Sequence, residues 1–147
     1  MNRQILFRGK RKDNGEWIEG YFLQLHRSER AFVVPKQFVQ RGILRMSGET
    51  PPKIIPIEVL SETVGQFTGL CDKNGKKIFE NDIIADDEEY STFENTRKGI
   101  VKFYHGEFTS FYGQDLLGRD CYDPLYSVCK ERYVIGNIYD NPELEEE

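Results

Sequence analysis

Residues 68–85 read TGLCDKNGKKIFENDIIA, and the fold depends on what this stretch is. Gly69 and Gly75 bracket an aspartate, and Lys76 and Lys77 follow, which has the look of a phosphate or metal loop. A phosphate cradle needs a Gly-rich loop that opens a helix, with Ser or Thr after the lysine. Here a second lysine follows the first, and Ile78-Phe79 continues in residues that prefer strands. The stretch therefore reads as a β-hairpin. One strand ends at Cys71, Asn74-Gly75 turns the chain, and Lys76–Phe79 returns. Asn-Gly suits a two-residue turn because both central residues then take positive φ. Lys76 and Lys77 fall at the exposed tip. Glu80-Asn81-Asp82 makes a second bend that feeds Ile83-Ile84-Ala85 into another strand.

The same pattern occurs earlier. Phe7-x-Gly9, Asn14-Gly15 and Ile18 match Phe67-x-Gly69, Asn74-Gly75 and Ile78 at one offset of 60 residues. Two copies are too few for a solenoid. The echo points to one hairpin geometry reached twice: Phe anchors the strand, Gly permits a close approach or a bulge, and Asn-Gly closes the turn. This favours a structural role for the stretch over a chemical one.

Further turn signals divide the rest of the chain. Asp13-Asn14-Gly15 separates Ile5–Arg11 from Glu16–Leu25, and His105-Gly106 separates Ile100–Tyr104 from Glu107–Tyr112. A third hairpin is expected in Tyr21–Leu25 and Ala31–Val34, turning at Arg27–Arg30 and ended by Pro35. Residues 40–56 lose periodicity and read as a connector, and 86–98 as a polar, acidic loop. Helix is scarce: one short turn within 124–130 and the start of another at Asn141–Leu144. The expected class is mainly β, built of short antiparallel hairpins as in small barrels. Two subdomains are expected, an N-terminal hairpin unit at 1–60 and a C-terminal unit at 61–147, or the two share one core.

Composition excludes several classes. With 38% hydrophobic and 13% aromatic residues the chain can bury a core, so disorder is excluded. No apolar run approaches membrane length, and the N-terminus has no signal-like apolar stretch, so a soluble, cytoplasmic protein is expected. Three cysteines (Cys71, Cys121, Cys129) and two histidines (His26, His105) are too few and too scattered for a disulfide framework or a closed zinc site. Asp82 and the run Asp86–Glu89 hold oxygens for a hard cation, yet the run contains no glycine for the sharp turn a calcium loop needs, and it reads as a solvated loop. No metal or cofactor is expected.

His105 with Asp82 is the one conceivable acid–base pair. His105 precedes Gly106 in a turn setting, and neither histidine stands near a nucleophile elbow. The expectation is a protein without catalysis, with a small hydrolase on His105 kept as a third reading. The aromatics Phe103, Tyr104, Phe108, Phe111 and Tyr112 gather on one hairpin. Alternation puts Val101 and Phe103 on one face and Ile100, Lys102 and Tyr104 on the other, so at least half of these rings are expected in the core. Exposed rings beside lysines can stack bases. Residues 1–50 carry a local charge of +5, but residues 51–147 carry −10 and the whole chain −5, which disfavours a phosphate backbone as partner. Lys76, Lys77, Tyr104, Phe108 and Tyr112 are the expected interaction surface.

Three blocks resemble the YopX family, small proteins encoded by bacteriophages and prophages. The first is Ile5–Tyr21, ILFRGKRKDNGEWIEGY; the second runs from Glu62-Thr-Val-Gly-Gln-Phe-Thr-Gly-Leu70 to Ile78-Phe-Glu-Asn-Asp-Ile-Ile84; the third is Val134-Ile-Gly-Asn-Ile-Tyr-Asp-Asn-Pro-Glu-Leu144. They bracket nearly the whole chain. The resemblance implies a mainly β, phage-borne protein of unknown function whose C-terminal part is similar to an SH3-like barrel. It implies no catalytic or binding residues. Asn81 stands where the family usually has Gly before Asp82, and Asn tolerates the left-handed geometry a turn requires there. The expected role is an accessory protein that binds a phage or host protein, or a second copy of itself. The alternative is a nucleic-acid-binding small barrel.

Overall fold

A computed structural model describes residues 3–36, 54–86 and 97–145. The expected connector at 40–56 and acidic loop at 86–98 lie largely outside the described residues. The chain forms two compact units, Met1–Gln66 and Phe67–Glu147. All described strand pairings are antiparallel, in two sheets, and among the described residues helix is limited to short turns, so the fold is mainly β as expected. No described helix is long and apolar enough to cross a membrane.

In the first unit β1 (Phe7–Lys10), β2 (Trp17–Gln24), β3 (Ala31–Pro35) and β4 (Ile57–Val59) form an up-and-down meander. Its core is Ala31, Val33 and Val59, with Ile18, Phe22 and Val64 packed on it. A lone bridge from Arg11 to Val59 curls the sheet back on itself. Lys12 N donates to Glu58 O at 3.0 Å and Leu60 N to Lys10 O at 2.8 Å beside that bridge. Gly9 makes the approach possible, because a Cβ there would meet the Val59 side chain at 3.0 Å. The third hairpin forms as expected, with Pro35 as the last residue of β3.

Strand β5 (Gly65–Cys71) belongs to both units by sequence: Gly65 and Gln66 pair with β1, and Phe67 and Cys71 with β6 (Lys77–Phe79). Between those last two pairs, three residues of β5 face only Ile78, which is a bulge. Gly69 at φ 84° sits in it, and Thr68 repairs it. The Thr68 hydroxyl donates to Ile78 O at 2.8 Å and accepts from Leu70 N at 3.2 Å.

The rest of the second unit is a five-stranded sheet in the order β10-β9-β8-β7-β11. Its strands are β7 (Asp82–Ala85), β8 (Lys98–Tyr104), β9 (Glu107–Gln114), β10 (Asp120–Pro124) and β11 (Tyr133–Asn137). The turn α1 (Leu125–Val128) runs into a 3-10 turn at Cys129–Glu131 and drops Leu125 and Cys129 onto Ile78, Ile84 and Val101. A last 3-10 turn occupies Pro142–Leu144, so both expected helical turns exist. Asn81 takes φ 69°, the left-handed geometry anticipated for it.

The turn chemistry differs from expectation. Gly15 and Gly75 take positive φ, but Asn14 and Asn74 do not. Both loops are therefore longer than two residues: Arg11 N bonds Glu16 O in the first, and Asp72 N bonds Lys76 O in the second. The two-residue turn with positive φ at both central positions is His105-Gly106, at 50° and 82°, closing Tyr104 against Glu107. A side-chain oxygen explains the difference. Asn14 Oδ1 accepts from Glu16 N at 2.9 Å, and Asp72 Oδ1 accepts from Asn74 N and Lys76 N at 2.8 and 2.9 Å. These Asx-type bonds reward a chain that stays right-handed until the glycine.

Candidate functional site

The side chains that looked chemical are mostly structural. Asp82 is buried and its Oδ2 accepts from Phe79 N at 2.8 Å, holding the bend at Glu80-Asn81. His105 occupies the exposed tip of the β8–β9 hairpin, its ring edge-on to Tyr104 at 4.1 Å. The His105–Asp82 pair is not assembled: Asp82 faces the β6–β7 bend, and His105 lies beyond the far end of β8. Asp86 meets the Arg132 guanidinium, Nε to Oδ1 at 3.0 Å, while Asp87–Glu89 lie outside the described residues. The cysteines stay apart in role. Cys71 is an exposed strand end, and Cys129 is buried, which pushes its thiol pKa up.

Asp72 is the structural residue that sequence reasoning missed. It is 7% exposed, and beyond its two bonds inside the turn its Oδ2 accepts from Val134 N at 2.9 Å. Lys73 N donates to Arg132 O at 2.9 Å alongside. One carboxylate thus closes the β5–β6 loop and fastens it to the start of β11. The loop at the β9–β10 tip repeats the device. Asp115 Oδ1 accepts from Leu117 N at 2.8 Å and Arg119 N at 3.0 Å, and Gly118 takes φ 73°. Asp-x-x-Gly-Lys at 72–76 and Asp-x-x-Gly-Arg at 115–119 were the readable signal. The backbone amide of Arg119, and its guanidinium at 2.8 Å, hold the Asp115 carboxyl below the usual carboxylate range.

The expected surface residues fall in three places. Lys76 is exposed in the β5–β6 loop, and Lys77 is half-buried with its Nζ 5.9 Å from the Phe67 ring centroid. Phe103 opposes Phe108 and Tyr104 opposes Glu107, so Tyr104 lies on one face of the sheet and Phe108 and Tyr112 on the other. Phe108 packs on the core edge-on to Phe103, and the Tyr112 hydroxyl donates to Asp123 at 2.6 Å. Burial and Asp123 raise the Tyr112 pKa. Tyr104 donates to Asp120 at 2.6 Å, which raises the phenol and lowers the carboxyl. Its ring meets Tyr122 at 5.0 Å and Phe111 at 6.4 Å, and Lys102 Nζ stands 4.4 Å over Phe111. The split of β8 into two faces is as expected. The expectation that at least half the rings are core is corrected: Phe103 is exposed and Tyr104, Phe108, Phe111 and Tyr112 are half-buried, the two tyrosines carrying hydroxyls that bond Asp120 and Asp123 and only Phe108 packing on the core.

Basic residues near the N-terminus are largely engaged. Arg8 and Lys10 lie over Trp17, Arg11 pairs with Asp13, and Lys12 and Arg30 share Glu58. Large apolar side chains, in contrast, stand in the open in the second unit. Leu116 is fully exposed and Leu117 is 77% exposed at the β9–β10 tip, and Phe103 and Tyr126 are also exposed.

A search of the curated proteins finds no match. Among solved structures, the crystal structure of protein EF1440 from Enterococcus faecalis is similar at 21% identity and a TM-score of 0.58. That likeness covers 97% of this chain and 99% of that chain, and it shows a shared fold. A family model described as YopX protein matches residues 6–146, nearly the whole length, and the chain belongs to the YopX family.

Proposed function

We propose that this YopX-family protein is a phage or prophage accessory protein that works by binding another protein in the host cytoplasm, without catalysis and without a cofactor. One observation carries the reading: Leu116 and Leu117 are presented to solvent on a hairpin tip that Asp115 holds in shape. A preorganised apolar tip lowers the ordering cost of binding. The partner is a phage or host protein with an apolar pocket, or a second copy of this chain. Of the expected surface, Lys76 is exposed and Tyr104 half-exposed, and both are read as open to a partner, while Lys77, Phe108 and Tyr112 are half-buried. We also read the second unit as an SH3-like barrel. In support, four strands follow one another in a meander, a helical turn follows β10, and the last strand returns to β7.

The test compares the native protein with Leu116→Asp/Leu117→Asp by gel filtration with light scattering and by crosslinking in host lysate. A native-specific partner or dimer that the variant loses is the expected result. A monomer whose crosslinked proteins are the same in both samples defeats the proposal.

A second reading, a nucleic-acid surface, has its own observation: Lys102, Tyr104, Phe111 and Tyr122 share one face of the sheet. Stacking on such rings is sequence-tolerant. Mobility shifts of single- and double-stranded oligonucleotides at low salt decide it, since electrostatic affinity is greatest there. No shift at low salt ends this reading.

A further inference from the structure

The pairs Asn14-Gly15 and Asn74-Gly75 turn the chain, and they also carry a chemistry of their own. The amide carbon of an asparagine side chain is an electrophile, and the backbone nitrogen of the next residue can attack it to close a succinimide ring. Glycine hinders that attack least. Both asparagines are exposed, and a Cβ at either glycine would meet nothing within 4 Å. By sequence the two pairs are equally reactive, and the loops around them make the difference. In the first loop Asn14 Oδ1 accepts from the Glu16 amide at 2.9 Å, so a donor already stands at the oxygen that becomes negative under attack. The Asp13 carboxylate is turned outward onto Arg11 at 2.7 Å. The brake is the bond from Gly15 N to Arg11 O at 2.9 Å, in a loop exposed throughout residues 12–16.

In the second loop Gly75 N also donates, to Asp72 O at 3.0 Å. Here the buried Asp72 carboxylate accepts from Asn74 N and Lys76 N at 2.8 and 2.9 Å, on either side of Gly75. A Gly75 nitrogen that gave up its proton would become an anion beside that carboxylate, where poor solvation strengthens the repulsion of like charges. The same carboxylate accepts from Val134 N at 2.9 Å, so this loop opens only by releasing β11. From this contrast we infer that Asn14 is a site of spontaneous deamidation in the folded protein, and that Asn74 is shielded by Asp72. The Gly15 nitrogen loses its proton to solvent base and bonds Asn14 Cγ. The Cγ–Nδ2 bond breaks, and ammonia leaves. Water then opens the ring. Cleavage between the ring nitrogen and Cγ leaves an aspartate at position 14, and cleavage at the backbone carbonyl carbon leaves an isoaspartate, whose main chain is longer by a methylene. Either product places a negative charge between Asp13 and Glu16. The isoaspartate also stretches the loop that the Arg11 N to Glu16 O bond closes at 2.8 Å.

Ageing of the full chain at body temperature in mildly alkaline buffer tests this, beside a sample unfolded in guanidinium chloride. Cleavage after Lys12 and Arg27 isolates Asn14, and cleavage after Glu62 and Glu80 isolates Asn74. Mass spectrometry reads the exchange of –NH2 for –OH, and enzymatic carboxyl methylation reads isoaspartate. In the folded protein Asn14 is expected to convert about tenfold faster than Asn74, and in guanidinium the two rates are expected to agree within about twofold. Asp72→Asn keeps the size of the side chain, removes its charge and is expected to raise the Asn74 rate about tenfold, with the Asn14 rate unchanged. The comparison of the two sites in the native chain stands without that variant. An Asn14 that stays intact in the folded protein while the unfolded chain converts, equal rates at the two sites in the folded protein, or an Asn74 rate unmoved in folded Asp72→Asn protein would each overturn the inference.

Discussion

The hairpins at Phe7–Ile18 and Phe67–Ile78 share five identities at one spacing, yet the first glycine and the isoleucine are used differently in each. Gly9 is buried because Val59 leaves no room for a Cβ, whereas Gly69 has open space around it and is needed for its φ of 84°. Asp13 is an exposed carboxylate paired with Arg11 across its own turn, while Asp72, one position earlier in the pattern, is buried and holds three backbone amides. Ile18 is half-buried against its core, and Ile78 is fully buried at the centre of its own. The first hairpin's turn is tied by an exposed ion pair, and the second's by a buried carboxylate that also reaches β11. Sequence likeness at this scale reports a shared local shape and leaves open which force maintains it.

The largest expected difference lies at the isoleucines. Ile78→Ala empties a fully buried position and should cost about 4 kcal/mol, whereas Ile18→Ala at a half-buried position should cost about 1 kcal/mol. Urea denaturation of both variants measures this, and equal losses would break the comparison. Next come the carboxylates. Asp72→Ala strands three amides, one of them in β11, for an expected loss of about 3 kcal/mol. Asp13→Ala removes an exposed, solvent-screened ion pair and should leave the urea midpoint nearly unchanged.

The glycines sharpen the comparison because the two causes answer differently to the same change. Gly9→Ala forces Val59 to move and should cost about 2 kcal/mol. Gly69→Ala meets no atom and should cost about 1 kcal/mol through its backbone alone. Asparagine separates them. It tolerates positive φ, so Gly69→Asn should recover part of the loss, while Gly9→Asn should be worse than Gly9→Ala. Thermal melts of the four variants give the order, and a recovery at Gly9 would refute the packing account.

How far the sequence could be read follows from the same contrast. The hairpins with dense Val, Ile and Phe and a glycine turn were legible, as were the alternating faces of β8 and the left-handed Asn81. Strands β4, β10 and β11 were not recognised from local signals: Ile57–Val59 is only three residues long, and Asp120–Pro124 is polar and ends in proline. Both owe their pairing to a partner strand and not to their own residues: the first pairs with β3, far before it in sequence, and the second with β9 across the Asp115 loop. The turn type was misjudged because Asn-Gly favours a two-residue turn only when no side-chain oxygen competes for the loop amides, and Asn14 and Asp72 both compete. For the candidate site, alternation could place Lys102 and Tyr104 on one face, but the tip at Leu116 and Leu117 went unread, because two adjacent leucines in a short loop carry no periodic signal.

The smallest effect concerns acid, and it separates the Asp115 loop from the Asn14 loop, where the corresponding oxygen is an amide. Arg119 holds the Asp115 carboxyl below its ordinary value. A carboxyl lowered in the folded chain stabilises the fold when ionised, so its contribution is complete above the unfolded value of about 4. That contribution is lost as pH falls through the lowered folded value. The amides of Leu117 and Arg119, which donate to Asp115, should therefore show rising hydrogen exchange relative to a pH-corrected reference below about pH 4. The Glu16 amide donates to the neutral Asn14 side chain, so its own bond has no titrating acceptor. Replacing Asp115 with Asn should flatten the acid response of Leu117 and Arg119 toward that of Glu16. If Leu117 and Arg119 loosen in acid just as much in the Asp115→Asn protein, the carboxylate is not what holds this tip, and the preformed apolar surface at Leu116 and Leu117 loses its support.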